Sequence, residues 1–306
     1  MKVVMMGSGG VGGYYGARLA QAGHEVVFVA RGAHASAIRS GGLRVKSELG
    51  DALIAPARVV EDPAQAGAAD LIVVAVKLWD SESAAAALAP IAGAGTAVVS
   101  LQNGVDKDDV LAAALGAGHV VGGVTHIAAV IAEPGVIAHT GKLQRITVGE
   151  LSGGSTARLE AIAAALQGAK IETVVSDHIR RVTWEKFVFL TALSGLTALT
   201  RKPVGAVRAH PATRALLLEA LRETAAVARA EGVALDPGVP EQQLKMMDGL
   251  AEGMLASMAQ DLLRGRRLEL EWLSGAVVRR GGARGVATPV HRAIYAALVL
   301  HAGGQG

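Results

Sequence analysis

The stretch KVVMMGSGGVGGYYGARLAQAGHEVVFVAR, residues 2 to 31, decides the fold. An apolar, β-branched run (2 to 7) reads as a strand and leads into Gly7-x-Gly9-x-x-Gly12. A helical pattern (12 to 23) follows and stops on Gly23, and a second strand-like run occupies 24 to 31. Context carries more weight than the glycine string. Between a strand and a helix, Gly7 permits a tight turn and Gly9 lets a pyrophosphate approach the backbone. Gly12 and Gly16 allow close helix–sheet packing, and the helix N-terminus offers unpaired N–H groups to an anion. The loop as a whole (Gly7, Ser8, Gly9, Gly10, Val11, Gly12) is therefore read as a dinucleotide cradle.

The second strand bears on which dinucleotide. NAD sites place an acid about 20 residues after the loop, for the ribose 2′-hydroxyl. Here the strand ends FVARGAH, with Arg31 at that place and no acid beside it. A guanidinium binds a 2′-phosphate bidentately, whereas a carboxylate repels it, so NADPH is expected. Read alone, Arg31 is also an ordinary solvated strand end.

Outward from this unit, strand and helix keep alternating. The runs 70 to 77 and 96 to 104 read as buried parallel strands with polar tips, and two more strands extend to about residue 151. Beyond about residue 176 the strand pattern gives way to helical periodicity over 179–200, 211–231, 241–263, 266–280 and 289–301. The expected fold is α/β, an N-terminal Rossmann dinucleotide-binding domain (1–177) followed by an all-helical C-terminal domain (178–306). Ligands of such sheets lie beyond the carboxyl ends of the strands, where Lys77 and Asn103 fall. A strand-end lysine also serves as a solvation device, and Asn-Gly is a favoured turn, so both readings stay open.

Composition removes other classes. With 306 residues, 51% hydrophobic and 19% charged, an ordered globular chain is expected. A net charge of +3 with scattered arginines does not favour nucleic acid. There is no cysteine, and His126, His139, His178 and His291 show no paired metal-ligand spacing, so no metal is expected. No leader pattern or membrane-length apolar run is apparent, which suggests a cytoplasmic protein acting on a small molecule. The apolar helices of the second half are compatible with a homodimer.

Along nearly its whole length the chain resembles ketopantoate reductase (2-dehydropantoate 2-reductase). The matching elements are GSGGVGGYYG, Arg31, VKLW around Lys77, QNG around Asn103, PGVIAHTG at 134 to 141, WEKF around Lys186, SMAQDLLRGRRLELEWLSG from Ser257 to Gly275, and GVATP at 285 to 289. The resemblance implies NADPH-dependent reduction of the ketone of ketopantoate to pantoate, on the route to pantothenate. It implies that Arg31 contacts the 2′-phosphate and that Lys77 and Asn103 line the nicotinamide end, with Ala128 of THIA a further cofactor-lining position. Lys186 would donate the proton, Glu269 would serve both the cofactor and the active site, and Ser257 would contact substrate. Without the resemblance, Glu269 and Ser257 read as ordinary helix residues.

One departure concerns the substrate. Where the resembled enzymes carry asparagines, this chain has Leu190, Ser194, Val204 and Met254. Lys186, Leu190 and Ser194 are spaced by four and so share one helix stripe. Fewer amides around the substrate suit a less polar 2-keto acid, or another carbonyl or imine. A non-catalytic NADP(H) sensor would need the glycine loop and Arg31 but not Lys186 or Glu269. A 3-hydroxyacid or imine reductase would lack the SMAQD signature.

Overall fold

Strand β1 (Lys2–Met6) lies between two parallel neighbours, and its alternation shows why its sequence is apolar after Lys2. Val3 and Met5 pack on one face with Tyr14, Tyr15 and Phe28, while Val4 and Met6 pack on the other with Ile72, Val74 and Leu88. A strand buried on both faces cannot alternate apolar with polar residues. The computed structural model describes residues 1–305. Residues 1–103 and 107–179 form one unit; residues 104–106 and 180–305 belong to a second.

The first unit continues through α1 (Gly10–Gln21), β2 (Glu25–Val29) and α2 (Gly32–Gly41). Three short strands follow, β3 (Leu43–Ser47), β4 (Ala52–Ile54) and β5 (Arg58–Val60). Then come β6 (Leu71–Val74), α3 (Ser81–Leu88), β7 (Ala97–Ser100) and α4 (Lys107–Leu115). A long pair, β8 (Val120–Glu133) and β9 (Val136–Glu150), precedes α5 (Ala157–Gly168) and β10 (Glu172–Val175). One ten-stranded sheet results, ordered β4-β3-β9-β8-β7-β6-β1-β2-β5, with β10 also beside β9. Strands β5, β2, β1, β6, β7 and β8 run parallel, and β8–β9 and β3–β4 are antiparallel. The chain reverses direction of winding at β1, with β2 on one side and β6 on the other, which makes the carboxyl end of β1 the topological switch point. Strands β3 to β5 and β10 carry weak sequence signals, because each is only three to five residues long and partly exposed.

The second unit is helical: α6 (Ile179–Thr200), α7 (Val204–Ala209), α8 (Pro211–Ala230), α9 (Val239–Asp248), α10 (Ser257–Leu263), α11 (Ser274–Ala283) and α12 (Pro289–Leu298). Two segments that read as single helices are broken. The 241–263 pattern splits at 249–256, where the carbonyls of Glu252 and Met254 accept from Gly205 and Val204 at the start of α7. Those N–H groups have no partner inside their own helix, so the break satisfies them. The 266–280 pattern makes one short 3-10 turn at Leu270–Trp272 and becomes α-helical only at Ser274. Leu268 hydrogen-bonds Ala302 instead of a helical neighbour, and it is buried with Leu270 in the core.

An internal polar chain crosses the helical core. Thr191 on α6 donates to the Phe187 carbonyl (2.9 Å) and meets Thr224 of α8 at 3.0 Å. Thr224 lies 2.8 Å from Nε2 of His291, a fully buried residue of α12. The ring donates through Nε2–H to the Ala220 carbonyl (3.0 Å) and accepts at Nδ1 from the Ser274 hydroxyl (3.3 Å). Both ring nitrogens are thus satisfied in the neutral form, and burial pulls the imidazole down from 6.5 to about 4 despite the carbonyl bond. A second set of contacts joins residues 104–106 to these helices: Asp106 accepts from Arg279 and Arg280 (2.7 Å each), and Arg280 also reaches Glu231 (3.0 Å).

Among the described residues no helix is long and apolar enough to cross a membrane.

The depressed His291 value has a sign. The unfolded chain takes up this proton below pH 6.5, whereas the native chain resists until about pH 4. Stability is therefore lost as pH falls across that window, by about 2 kcal/mol between pH 7.5 and 5. Urea unfolding at the two pH values should show this loss, and His291→Gln should remove that part of the slope.

Candidate active site

Strands β1, β2, β6 and β7 run parallel, so the residues after them gather at one sheet edge. Gly7 follows β1 with φ +96°, and a Cβ there would stand 2.7 Å from the Val76 nitrogen, which only glycine avoids. Ser8 is locked from both sides, its N–H (3.0 Å) and its hydroxyl (3.1 Å) both donating to the Val29 carbonyl. α1 then begins at Gly10 with no acidic residue in its first turn, leaving the positive end of the helix for an anion.

A pocket opens on this turn. Its walls include Gly7, Ser8, Gly9, Arg31, His34 and Ser83. Arg31 is exposed and extended (φ −131°, ψ 160°) at the N-cap of α2. It lines the same pocket as the glycine loop, so a cation and a phosphate-sized backbone turn share one concavity. That donor set fits a nicotinamide dinucleotide: glycine backbone and helix terminus for the pyrophosphate, and a guanidinium beyond them. Asp80 and Ile131 line the pocket as well.

The other predicted strand ends are held by the glutamine of QNG. Buried Gln102 donates to the Val76 carbonyl (3.0 Å) and to the Ser81 hydroxyl (2.8 Å), and accepts from Ser100 (3.0 Å). It ties the end of β7 to the end of β6, and so fixes Asn103 and Lys77 relative to one another. Lys77 is exposed, with its Nζ 5.6 Å from the Trp79 ring centre. Lys107 supports the same edge from below; its buried ammonium donates to the Ser100 (2.9 Å) and Gly123 (2.7 Å) carbonyls. Ala128 is exposed on β8, at the register shift between Ile127 and Ala129. His34, Ser83, Asp80 and Ile131 lie outside the motifs that carry the resemblance, and Gln102, though part of QNG, gives no sign in the sequence of the strand ends it joins. The available signal for His34 was its place one helical turn after Arg31.

In the helical unit, Lys186 and Leu190 are half-buried on α6, and Ser194 is completely buried. The stripe therefore runs from the surface into the core, and the Ser194 hydroxyl is buried without a hydrogen-bond partner. Val204 is likewise sealed, whereas Met254 is 40% exposed and Ser257, the first residue of α10, is exposed. Glu269 is buried, 8% exposed, at the turn before α11.

Known proteins share this fold. Residues 3–153 match the family model for ketopantoate reductase PanE/ApbA, and residues 178–301 match its C-terminal counterpart. The chain belongs to the ketopantoate reductase family. It is 36% identical over 295 residues to a 2-dehydropantoate 2-reductase of Halobacterium salinarum, covering 96% of each chain. The crystal structure of a PanE/ApbA family ketopantoate reductase from Ralstonia eutropha superposes with a TM-score of 0.91 at 35% identity, covering 99% of this chain and 98% of that one. D-mandelate dehydrogenase, solved with NADH and anilino(oxo)acetate, shares the fold (TM-score 0.90, 24% identity, 99% and 98% covered). Ketopantoate reductases are oxidoreductases, and the mixed sheet followed by a helical domain is their architecture.

The glycine turn can be tested directly. A Cβ on Gly10 would run into the backbone of Ala129 and Val130. Gly10→Ala should weaken nucleotide binding by tenfold or more, roughly the 1–3 kcal/mol of an overpacked site. Fluorescence titration with NADPH reads the loss.

Proposed function

We propose that this family member reduces a 2-keto acid to the 2-hydroxy acid with NADPH, its substrate being 2-dehydropantoate and its product pantoate. The observation that carries the cofactor choice is Arg31 in the glycine-loop pocket, at the position where NAD sites carry an acid. The bound nucleotide supplies a hydride to the keto carbon. The rest falls to side chains of this chain. As the C2–H bond forms, the carbonyl π pair moves onto oxygen, and the Lys186 ammonium stabilises that charge and transfers its proton to it. Glu269 sits buried as the carboxylate that orients the site, and Ser257 offers a hydroxyl to the substrate. Lys77 and Asn103, on strand ends cross-tied by Gln102, hold the nicotinamide end.

A second reading concerns the substrate alone. Of the four positions where the resemblance expects amides, Ser194 and Val204 are sealed in the core. Leu190 and Met254 retain exposure, and both are apolar. This favours a 2-keto acid without the hydroxyl of ketopantoate, since a site lacking hydrogen-bond partners gains little from a substrate hydroxyl.

Purified protein should oxidise NADPH with 2-dehydropantoate in preference to unhydroxylated branched 2-keto acids; the reverse preference selects the second reading. Lys186→Ala should lower kcat by about 10²–10⁴ while NADPH still binds, and unchanged turnover would remove Lys186 as the proton donor. Arg31→Ala should raise the KM for NADPH by roughly 10- to 100-fold and leave that for NADH nearly unchanged.

A further inference from the structure

His34 lies on α2, one turn after Arg31, and its ring bridges two backbone segments distant in sequence. The Gly135 N–H donates to its Nδ1 (3.1 Å), so Nδ1 carries no proton. In the neutral ring the proton must then sit on Nε2, which lies 2.9 Å from the Ser8 carbonyl and donates to it. The two bonds assign the tautomer between them.

Each anchor point matters. Ser8 belongs to the glycine loop, and its peptide with Gly9 is planar and trans, so the Gly9 N–H points opposite to the Ser8 carbonyl. Holding the carbonyl on His34 therefore fixes the direction of an N–H in the pocket wall. Gly135 forms, with Pro134, the two-residue turn joining β8 to β9, and its carbonyl accepts from Arg44 (2.9 Å). The same β8–β9 ribbon places Ala129 and Val130 against Gly10 and Ile131 in the pocket wall. Glycine loop, ribbon and α2 thus meet at one imidazole.

We infer that His34 is a positioning residue for the nucleotide site: it orients the Ser8–Gly9 peptide toward the pyrophosphate and clamps the β8–β9 ribbon as a wall of the pocket. This rests on the dinucleotide reading of the glycine loop. Without the Nε2–H donor the Ser8–Gly9 peptide is free to rotate, and a rotated peptide turns a carbonyl oxygen toward phosphate. Pyrophosphate is common to NADPH and NADH, so the loss must be shared by both. A ring that touched the 2′-phosphate instead would matter for NADPH alone.

The experiment is fluorescence titration of NADPH and NADH into the unmutated protein, His34→Ala, His34→Gln and His34→Glu, with kcat measured at saturating NADPH. His34→Ala should weaken both dinucleotides by a common factor of about tenfold, with kcat nearly retained. His34→Gln, whose amide can both donate and accept, should restore binding; His34→Glu, with no donor for the Ser8 carbonyl, should not. The Gln and Glu pair decides the matter even if the Ala variant does not fold. A loss confined to NADPH, unaltered binding in the Ala and Glu variants, or Gln no better than Glu would overturn the inference. Unmutated protein that bound neither dinucleotide would remove the nucleotide reading itself, and the inference with it.

Discussion

The turn at Gly7 is the constraint on which the nucleotide half depends. A strand buried on both faces must leave the sheet within one residue and turn into a helix without meeting the backbone of the neighbouring strand end at Val76. Only a residue with positive φ and no side chain does this. Once it is met, the N-terminus of α1 lies at the topological switch point, and the parallel neighbours deliver Arg31, Lys77 and Asn103 to the same sheet edge. Their chemistry differs, but one geometric solution places them all.

Around that turn, polar side chains act as fasteners between elements. Gln102 joins two strand ends, Lys107 holds two backbone carbonyls beside them, and His34 bridges the loop to a ribbon turn. The helical unit uses the same device at His291, where a neutral ring with both nitrogens bonded links α8, α11 and α12. Buried polar groups left unpaired are costly, so each fastener holds one arrangement of its neighbours against its alternatives. Burial depresses the His291 pKa for the same reason that it makes the ring useful: the interior tolerates only its uncharged form.

Much of this was legible in residues 2 to 31. The strand–glycine loop–helix order identified the dinucleotide half, and the later change from strand runs to helical periodicity identified the helical half. What escaped notice had no local signature. Strands β3 to β5 are too short for periodicity to register, and the two interrupted helical segments kept their apolar spacing while their backbone groups served other elements. His34 had no local signature because its partners lie 26 and 101 residues away, and Gln102, although part of QNG, gave no sign that it ties β7 to Val76 and Ser81.

By itself, then, the sequence determined which residue types stand at the strand ends, since glycine spacing, an arginine in place of an acid and the apolar strands are local facts. Tertiary structure alone decided how those residues are held and which remain accessible. The stripe Lys186, Leu190 and Ser194 has one helical spacing but three different environments, because α6 passes from the surface into the core and packing against other helices sets the depth of each turn. Spacing along a helix fixes a direction; only the neighbours fix whether that direction ends in solvent or in protein.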